Sequence, residues 1–270
     1  MLISQVPEDG LPTLAHVRDK DIAAAYCEGY NRYAAEICKQ SNRLRAVGIV
    51  PFQDVAAAVA EVRHLAHDPG LVGVAVSSLA LRNHLGSSSY WPIYDEMQRL
   101  DVPLLIHNLS HQVPVWQRLY DTFLLQDTVG GSIETLHAVS ALVCGGIPER
   151  FPDLRVGIFN VGIGWLPYLM ERLDHEFERV GAEQMPLLLE RPSGYVRNGH
   201  WFYACSGRES TLPLVVNWVG AEAVMFGSAY PDADCDLNAV TRLRQRTDIA
   251  EEAKIKILGE NAKLLFHLGD

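Results

Sequence analysis

The chain has 270 residues and a mass of 30.0 kDa, and its 48% hydrophobic and 21% charged residues are typical of a folded globular protein and exclude a disordered chain. Its net charge of −10 and its 23 scattered basic residues argue against a nucleic-acid-binding surface, which requires clustered lysines and arginines. Five cysteines without C-x-x-C spacing favour a reducing compartment over a disulfide framework or a zinc ribbon.

The chain begins without the basic and cleavable pattern of a signal peptide, and no apolar run reaches the roughly 18 residues that span a bilayer. We therefore expect a cytoplasmic protein with neither a membrane nor a nucleic acid as its partner.

Short apolar runs alternate with longer segments of helical periodicity, a pattern that predicts a parallel sheet joined by crossover helices. The predicted strands are 1–6, 44–50, 71–78, 102–108, 154–161, 201–207 and 223–229. The predicted helices are 21–40, 54–68, 90–101, 133–153, 165–183 and 249–269, with Asp21 and Asp54 as candidate N-caps. Residues 186–199 are rich in proline, glycine and charge, and they predict a surface loop.

The strand runs are apolar at successive positions, which is expected of strands whose two faces are both covered. The sequence lacks G-x-G-x-x-G after its first strand and lacks G-x-x-x-x-G-K-[ST] throughout, so a nucleotide-binding sheet has no support. A TIM-like (β/α) barrel in a single domain, 1–270, is the favoured α/β fold. In such a barrel the chemistry lies on the loops after the carboxyl ends of the strands.

Polar residues follow the predicted strands at these ends, and they would meet at one mouth of the barrel. They are Ser77 and Ser78, His107 and Asn108, Asn160, the run from Ser206 to Arg208, and the run from Ser228 to Asp232.

Several motifs together make the chain similar to one known family. They are "YNRYAAEIC", "RLRAVGIVPFQD", "YWPIYDEMQRLDVPLLIH", "ERFPDLRVGIFNVGIGWLPYLMERLD", "VMFGSAYPDAD" and "KILGENAKLLF". The chain resembles the amidohydrolase-related family that includes aminocarboxymuconate semialdehyde decarboxylase and other metal-dependent aromatic-acid decarboxylases. Because the chain begins where the family's second strand would begin, the resemblance implies a barrel that lacks its first strand-helix unit and has about seven parallel strands.

The resemblance also implies a set of metal ligands, and this sequence departs from most of them. His107 matches the family's middle histidine. Asn160 stands where a histidine or glutamate is expected, Ala229 replaces the aspartate of an "SDYPH"-like turn, and Asp232 replaces the histidine of that turn. Since a catalytic zinc site uses about three protein donors, we expect no bound metal and no other cofactor.

The remaining candidates have roles assigned by residue type and place. His107, Asp232 and His111 are the candidate acid-base groups, since imidazole and carboxylate side chains transfer protons. The alternative for His107 is a histidine bonded to backbone, and the alternative for Asp232 is a helix cap. The candidate substrate-binding residues are Arg208, Asn160, Ser78, Trp165 and Tyr230. Arg208 could instead pair with Glu209 or another acid, Trp165 could instead pack at a helix start, and Cys205 and His137 are expected to be structural.

These residues predict an enzyme that acts without metal on a small carbonyl-bearing or carboxylate-bearing molecule by decarboxylation, dehydration, cyclisation or isomerisation. One alternative is a non-catalytic subunit or binding protein that supports a homologous subunit. Another is a metal-dependent hydrolase or decarboxylase whose ligands come from a second chain. A homodimer is expected, by analogy with the family.

Overall fold

The computed structural model describes residues 2–4, 14, 17–78, 81–108, 114–230 and 235–269. These residues form one parallel sheet whose strands follow the order of the chain, β1 to β7. The strands are β1 (Leu2–Ser4), β2 (Leu44–Ile49), β3 (Leu71–Val76), β4 (Leu104–His107), β5 (Val156–Phe159), β6 (Trp201–Cys205) and β7 (Val224–Phe226). Among the described residues no pairing joins β7 to β1, so the predicted α/β class is confirmed in the form of a partial TIM-like barrel.

Helices connect the strands of the sheet. They are α1 (Lys20–Cys38), α2 (Val55–His67), α3 (Trp91–Arg99), α4 (Pro114–Leu119), α5 (Phe123–Cys144), α6 (Ile147–Arg150), α7 (Leu166–Gln184), α8 (Pro192–Tyr195), α9 (Leu212–Val219), α10 (Ala239–Gln245), α11 (Glu251–Ile255) and α12 (Asn261–Phe266). A π-helical segment, Lys256–Glu260, joins the last two. In the described part of the chain no helix is long and apolar enough to cross a bilayer.

Several local predictions need correction. Asp19, not Asp21, caps α1, because the extended backbone of Asp19 lets its carboxylate accept the N–H groups of Asp21 and Ile22. Asp54 caps α2 as predicted, through the N–H of Ala57.

Other helices also depart from the predictions. The helix predicted over 133–153 begins ten residues earlier and stops at Cys144, because Gly145 and Gly146 interrupt it and Gly146 has a φ of 70°. The predicted loop contains α8, and α9 was not predicted.

The core has two layers that follow the alternation of side chains along the strands. Val74, Val76, Leu104 and Ile106 point toward the outer helices and join the larger hydrophobic cluster. Their neighbours point to the opposite face of the sheet, where they form a second cluster with the end of α12. The strand residues of that cluster are Val47, Ile49, Ala75, Leu105, Phe202, Ala204 and Met225, and the α12 residues are Leu265 and Phe266. The last helix therefore fills the space enclosed by the curved sheet.

Arg155 attaches this last helix to the amino-terminal end of the sheet. Its side chain is 8% exposed, and its guanidinium donates to the carbonyl oxygens of Leu264 (2.7 Å) and Leu265. The same group donates to the carbonyl oxygen of Asp101 at 2.7 Å and to its carboxylate at 2.6 Å. One buried cation thus satisfies three backbone carbonyls that would otherwise lack partners.

Two strand ends adopt backbone conformations that are rare for residues other than glycine. Asn160, after β5, has a φ of 63°, and Ala229, after β7, has a φ of 52°. Asparagine is enriched in this left-handed region, whereas alanine is placed there at a cost of about 1–2 kcal/mol. The turn after β7 is therefore strained at Ala229.

Replacing Arg155 with Met should lower the free energy of unfolding by about 3 kcal/mol, because buried carbonyls and a charge lose their partner. Urea denaturation measures the effect. The matched control is Arg179→Met on the exposed face of α7, where the arginine pairs only with Glu176. Equal stability of both variants would show that Arg155 does not hold the last helix.

Replacing Ala229 with Gly should raise the stability by about 0.5–1 kcal/mol, since the relief of left-handed strain exceeds the entropy cost of glycine. The control, Ala60→Gly, lies on the exposed face of α2 and should lower the stability by about 1 kcal/mol. Thermal or urea unfolding should therefore show a gain in stability for Ala229→Gly and a loss for Ala60→Gly. A loss of stability in both variants contradicts a strained Ala229.

Candidate functional site

The carboxyl ends of β3, β4 and β5 lie side by side because the strands are paired in parallel. Val76 is paired with Ile106, and His107 is paired with Phe159. This register brings Ser77 level with His107 and brings Asn108 level with Asn160. We call this edge of the sheet, where the strand ends meet, the mouth.

His107 is the last residue of β4, and its ring is held by its own chain. The Nδ1 atom lies 2.8 Å from the carbonyl oxygen of Asn108. A carbonyl only accepts hydrogen bonds, so the neutral ring carries its proton on Nδ1 and leaves a lone pair on Nε2. Nε2 is buried and has no hydrogen-bond partner among the described residues. Burial lowers the pKa of His107 below its ordinary value of 6.5, and the bond to Asn108 offsets part of this shift.

Asn108 joins the ends of β4 and β5. Its side chain is 2% exposed, and its Nδ2 donates to the carbonyl oxygen of Asn160 at 2.8 Å. The bond lies one residue beyond the last paired residues of these two strands, His107 and Phe159. Asn160, predicted to bind substrate, is half-buried at the mouth, and its backbone carbonyl is engaged in this way.

At the end of β7 the structure describes Ala229 and Tyr230. Ala229 offers only a methyl group, and Tyr230 is 60% exposed. The candidate acid-base residues His111 and Asp232 lie outside the described residues.

Ser78, another predicted binding residue, is occupied by contacts within the protein. It is 3% exposed, its Oγ donates to the backbone carbonyl of Glu134 at 3.2 Å, and it lies 3.3 Å from Nδ1 of His137. The neighbouring Ser77 donates to the carboxylate of Glu134, which is fully buried on α5. Burial, with a smaller contribution from His84, lowers the pKa of His137. The structure thus brings two serines and a buried carboxylate together behind β3.

Trp165 takes a packing position. Its Nε1 donates to the carbonyl oxygen of Gly162 at 2.9 Å, and its ring meets Tyr203 edge-on with the ring centroids 6.2 Å apart. These contacts match the alternative of packing at a helix start, since Trp165 directly precedes α7.

Arg208 is exposed, and its Nε lies 3.9 Å from the carboxylate of Asp236. Arg242 approaches that carboxylate more closely, at 2.8 Å. The acid beside the Arg208 side chain is therefore Asp236. Glu209, which follows Arg208 in the sequence, has a different role.

Glu209 is a residue of the mouth that the sequence reasoning missed. One carboxylate oxygen accepts the N–H of Ile163 at 2.8 Å, and the other accepts the N–H of Ser206 at 2.8 Å. It thereby joins the loops after β5 and β6. Nothing in the sequence marked this link, because its partner lies 46 positions away.

Cys205, at the end of β6, is not a nucleophile in this setting. Its side chain is 1% exposed, and burial raises the pKa of its thiol to about 12. The predicted structural role agrees with this burial.

The donors that the described residues place at the mouth do not fit the divalent metal that the resemblance implies. His107 offers one imidazole nitrogen, while the places of two further ligands are held by the neutral amide of Asn160 and the methyl group of Ala229. In the described part of the chain no group of three or more histidine, cysteine, aspartate or glutamate side chains is placed to hold a metal. A catalytic site of this kind needs about three such donors.

Known proteins are similar to this chain over most of its length. Gamma-resorcylate decarboxylase from Polaromonas sp. is 28% identical over 268 residues, which are 95% of this chain and 81% of that protein. The 2-amino-3-carboxymuconate-6-semialdehyde decarboxylase of Dictyostelium discoideum is 26% identical over 86% of this chain and 64% of its own length.

A solved dihydroxybenzoic acid decarboxylase from Polaromonas sp., with bound manganese and the inhibitor 2-nitroresorcinol, matches with a TM-score of 0.80. It is 26% identical and covers 95% of this chain and 79% of its own. The model of the amidohydrolase family matches residues 3–268. The match confirms the predicted resemblance: this chain belongs to the amidohydrolase family.

Proposed function

We propose that the protein is a decarboxylase-like enzyme that acts on a small carboxylate-bearing or carbonyl-bearing molecule by acid-base chemistry, without a metal ion at the mouth. The observation that carries the proposal is the buried Nε2 of His107 at the end of β4, whose lone pair has no hydrogen-bond partner among the described residues. The similarity of the protein to gamma-resorcylate decarboxylase, over 95% of the chain, supports decarboxylation as the reaction class.

The chemistry follows from the protonation state of His107. Because burial lowers its pKa, the ring is neutral near pH 7 and Nε2 accepts a proton from a substrate hydroxyl or carbon. In a decarboxylation the C–COO⁻ bond breaks, CO₂ leaves, and the electron pair remains on carbon. The same carbon then takes up one proton, which His107 can return. The net reaction consumes one proton and needs no oxidant or reductant.

Other residues at the mouth have supporting roles in the proposal. Arg208 provides a cation for a substrate carboxylate, which the exposed position of its side chain permits. Asn160 supplies a polar group, Tyr230 supplies aromatic surface, and Asp232 and His111 are the further proton-transferring groups.

Replacing His107 with Gln should lower turnover at least ~100-fold, since a general base contributes about that much. CO₂ release from a panel of hydroxybenzoates, beginning with 2,6-dihydroxybenzoate, measures turnover. A matched control is His64→Gln on the exposed face of α2, which should leave turnover unchanged. Equal turnover in both variants would remove His107 from the mechanism.

The pH dependence of kcat/KM should also reflect the neutral form of His107. The reactive form of His107 is the neutral one, and its pKa is lowered from 6.5, so kcat/KM should be constant above pH 6.5 and fall only at lower pH. A plateau that begins above pH 6.5 contradicts a buried neutral base.

Turnover should survive removal of divalent metals. After dialysis against a strong chelator, the wild-type protein should retain its rate, and elemental analysis should find manganese and zinc far below one per chain. Loss of turnover on dialysis, with recovery on added Mn²⁺, would instead establish a metal enzyme whose further ligands come from residues outside the described part or from a second chain. An inactive but folded protein that binds a homologous subunit would favour the non-catalytic alternative.

A further inference from the structure

The backbone carbonyl that sets the tautomer of His107 belongs to Asn108, and the side chain of Asn108 is itself fixed. The Nδ1 atom of His107 lies 2.8 Å from that carbonyl oxygen. The orientation of the peptide group that contains this carbonyl, the one after Asn108, therefore decides which ring nitrogen carries the proton.

The position of this peptide group is not secured by the sheet ladder. The last paired residues of β4 and β5 are His107 and Phe159, so the chain beyond His107 has left the regular pairing. The 2.8 Å bond from Asn108 Nδ2 to the carbonyl oxygen of Asn160 holds β4 to β5 at the next position. The φ of 63° at Asn160 marks the point where β5 also leaves its extended path.

The burial of Asn108 makes this bond costly to lose. Its side chain is 2% exposed, and without its amide the carbonyl oxygen of Asn160 would lose this donor. Removal of the donor therefore weakens the attachment of Asn108, whose own backbone carbonyl is the partner of His107.

We propose that Asn108 is a positioning residue, which holds the carbonyl that keeps the His107 proton on Nδ1 and so leaves the Nε2 lone pair directed to substrate. The catalytic consequence rests on the proposed function, whereas the structural part concerns the tautomer alone. Asn108 acts through His107 and the bond to Asn160, without contact with the reacting atoms.

The test replaces Asn108 with Leu, which is close to asparagine in shape but has no group that can donate to the Asn160 carbonyl. Nitrogen NMR of ¹⁵N-histidine-labelled protein, at a pH where the ring is neutral, reports which nitrogen carries the proton. The His107 signal among the 10 histidines is the one absent from the His107→Gln variant. The wild type should show the Nδ1–H form, and Asn108→Leu should show a mixture with the Nε2–H form.

The matched control is Asn261→Ala. This buried asparagine also donates to backbone carbonyls, those of Ala221 (2.7 Å) and Val224 (2.6 Å), away from His107. It should lower stability without changing the His107 tautomer. If Asn108→Leu does not fold, Asn108→Ser removes the same long amide donor with a smaller side chain.

Together, the His107 tautomer and the turnover rate separate the positioning role of Asn108 from the catalytic role of His107. A tautomer unchanged in a folded Asn108 variant, or changed equally in Asn261→Ala, overturns the positioning role whatever the activity. A changed tautomer with a kcat lowered about 10–100-fold and little change in KM supports both claims. A changed tautomer with unaltered turnover supports the positioning role and contradicts the proposed catalytic use of His107.

Discussion

The parallel pairing of β3, β4 and β5 is the constraint on which the candidate site depends. Because these strands run in the same direction and lie in register, their carboxyl ends meet at one edge. His107 stands at the centre of that edge, with Ser77 and Asn108 beside it. A hydrogen bond donated by Asn108 and two accepted by Glu209 then connect the ends of β4, β5 and β6 beyond the regular ladder. The site is therefore a property of the sheet edge and of a few polar links.

The sequence predicts the strands and the place of the mouth, and it predicts the links between strands poorly. Each strand is a local apolar run with β-branched residues, so its position is visible in the sequence. His107 was found because it directly follows such a run. Glu209 was missed because its carboxylate serves backbone groups that come close only in the folded chain. The start of α5 was also missed, since its first turns expose Phe123 and Leu124 and lack an amphipathic pattern.

The side chains at the mouth differ from the metal ligands that the family resemblance implies. An imidazole with its proton on Nδ1 and an open Nε2 is equally suited to bind a metal or to accept a proton. Which of the two it does depends on the neighbouring donors. Asn160 and Ala229 supply an amide and a methyl group where the family resemblance implies a ligand, so proton transfer is the role that the described residues support. Ala229, at the position of the family's aspartate, has a left-handed φ of 52°.

Calorimetric titration of Mn²⁺ into the metal-free wild-type protein tests this account most directly, with His107→Gln titrated in parallel. The account predicts no saturable binding that depends on His107, because a single imidazole is too few donors for a divalent ion. Stoichiometric, tight binding in the wild type that disappears in His107→Gln would contradict it.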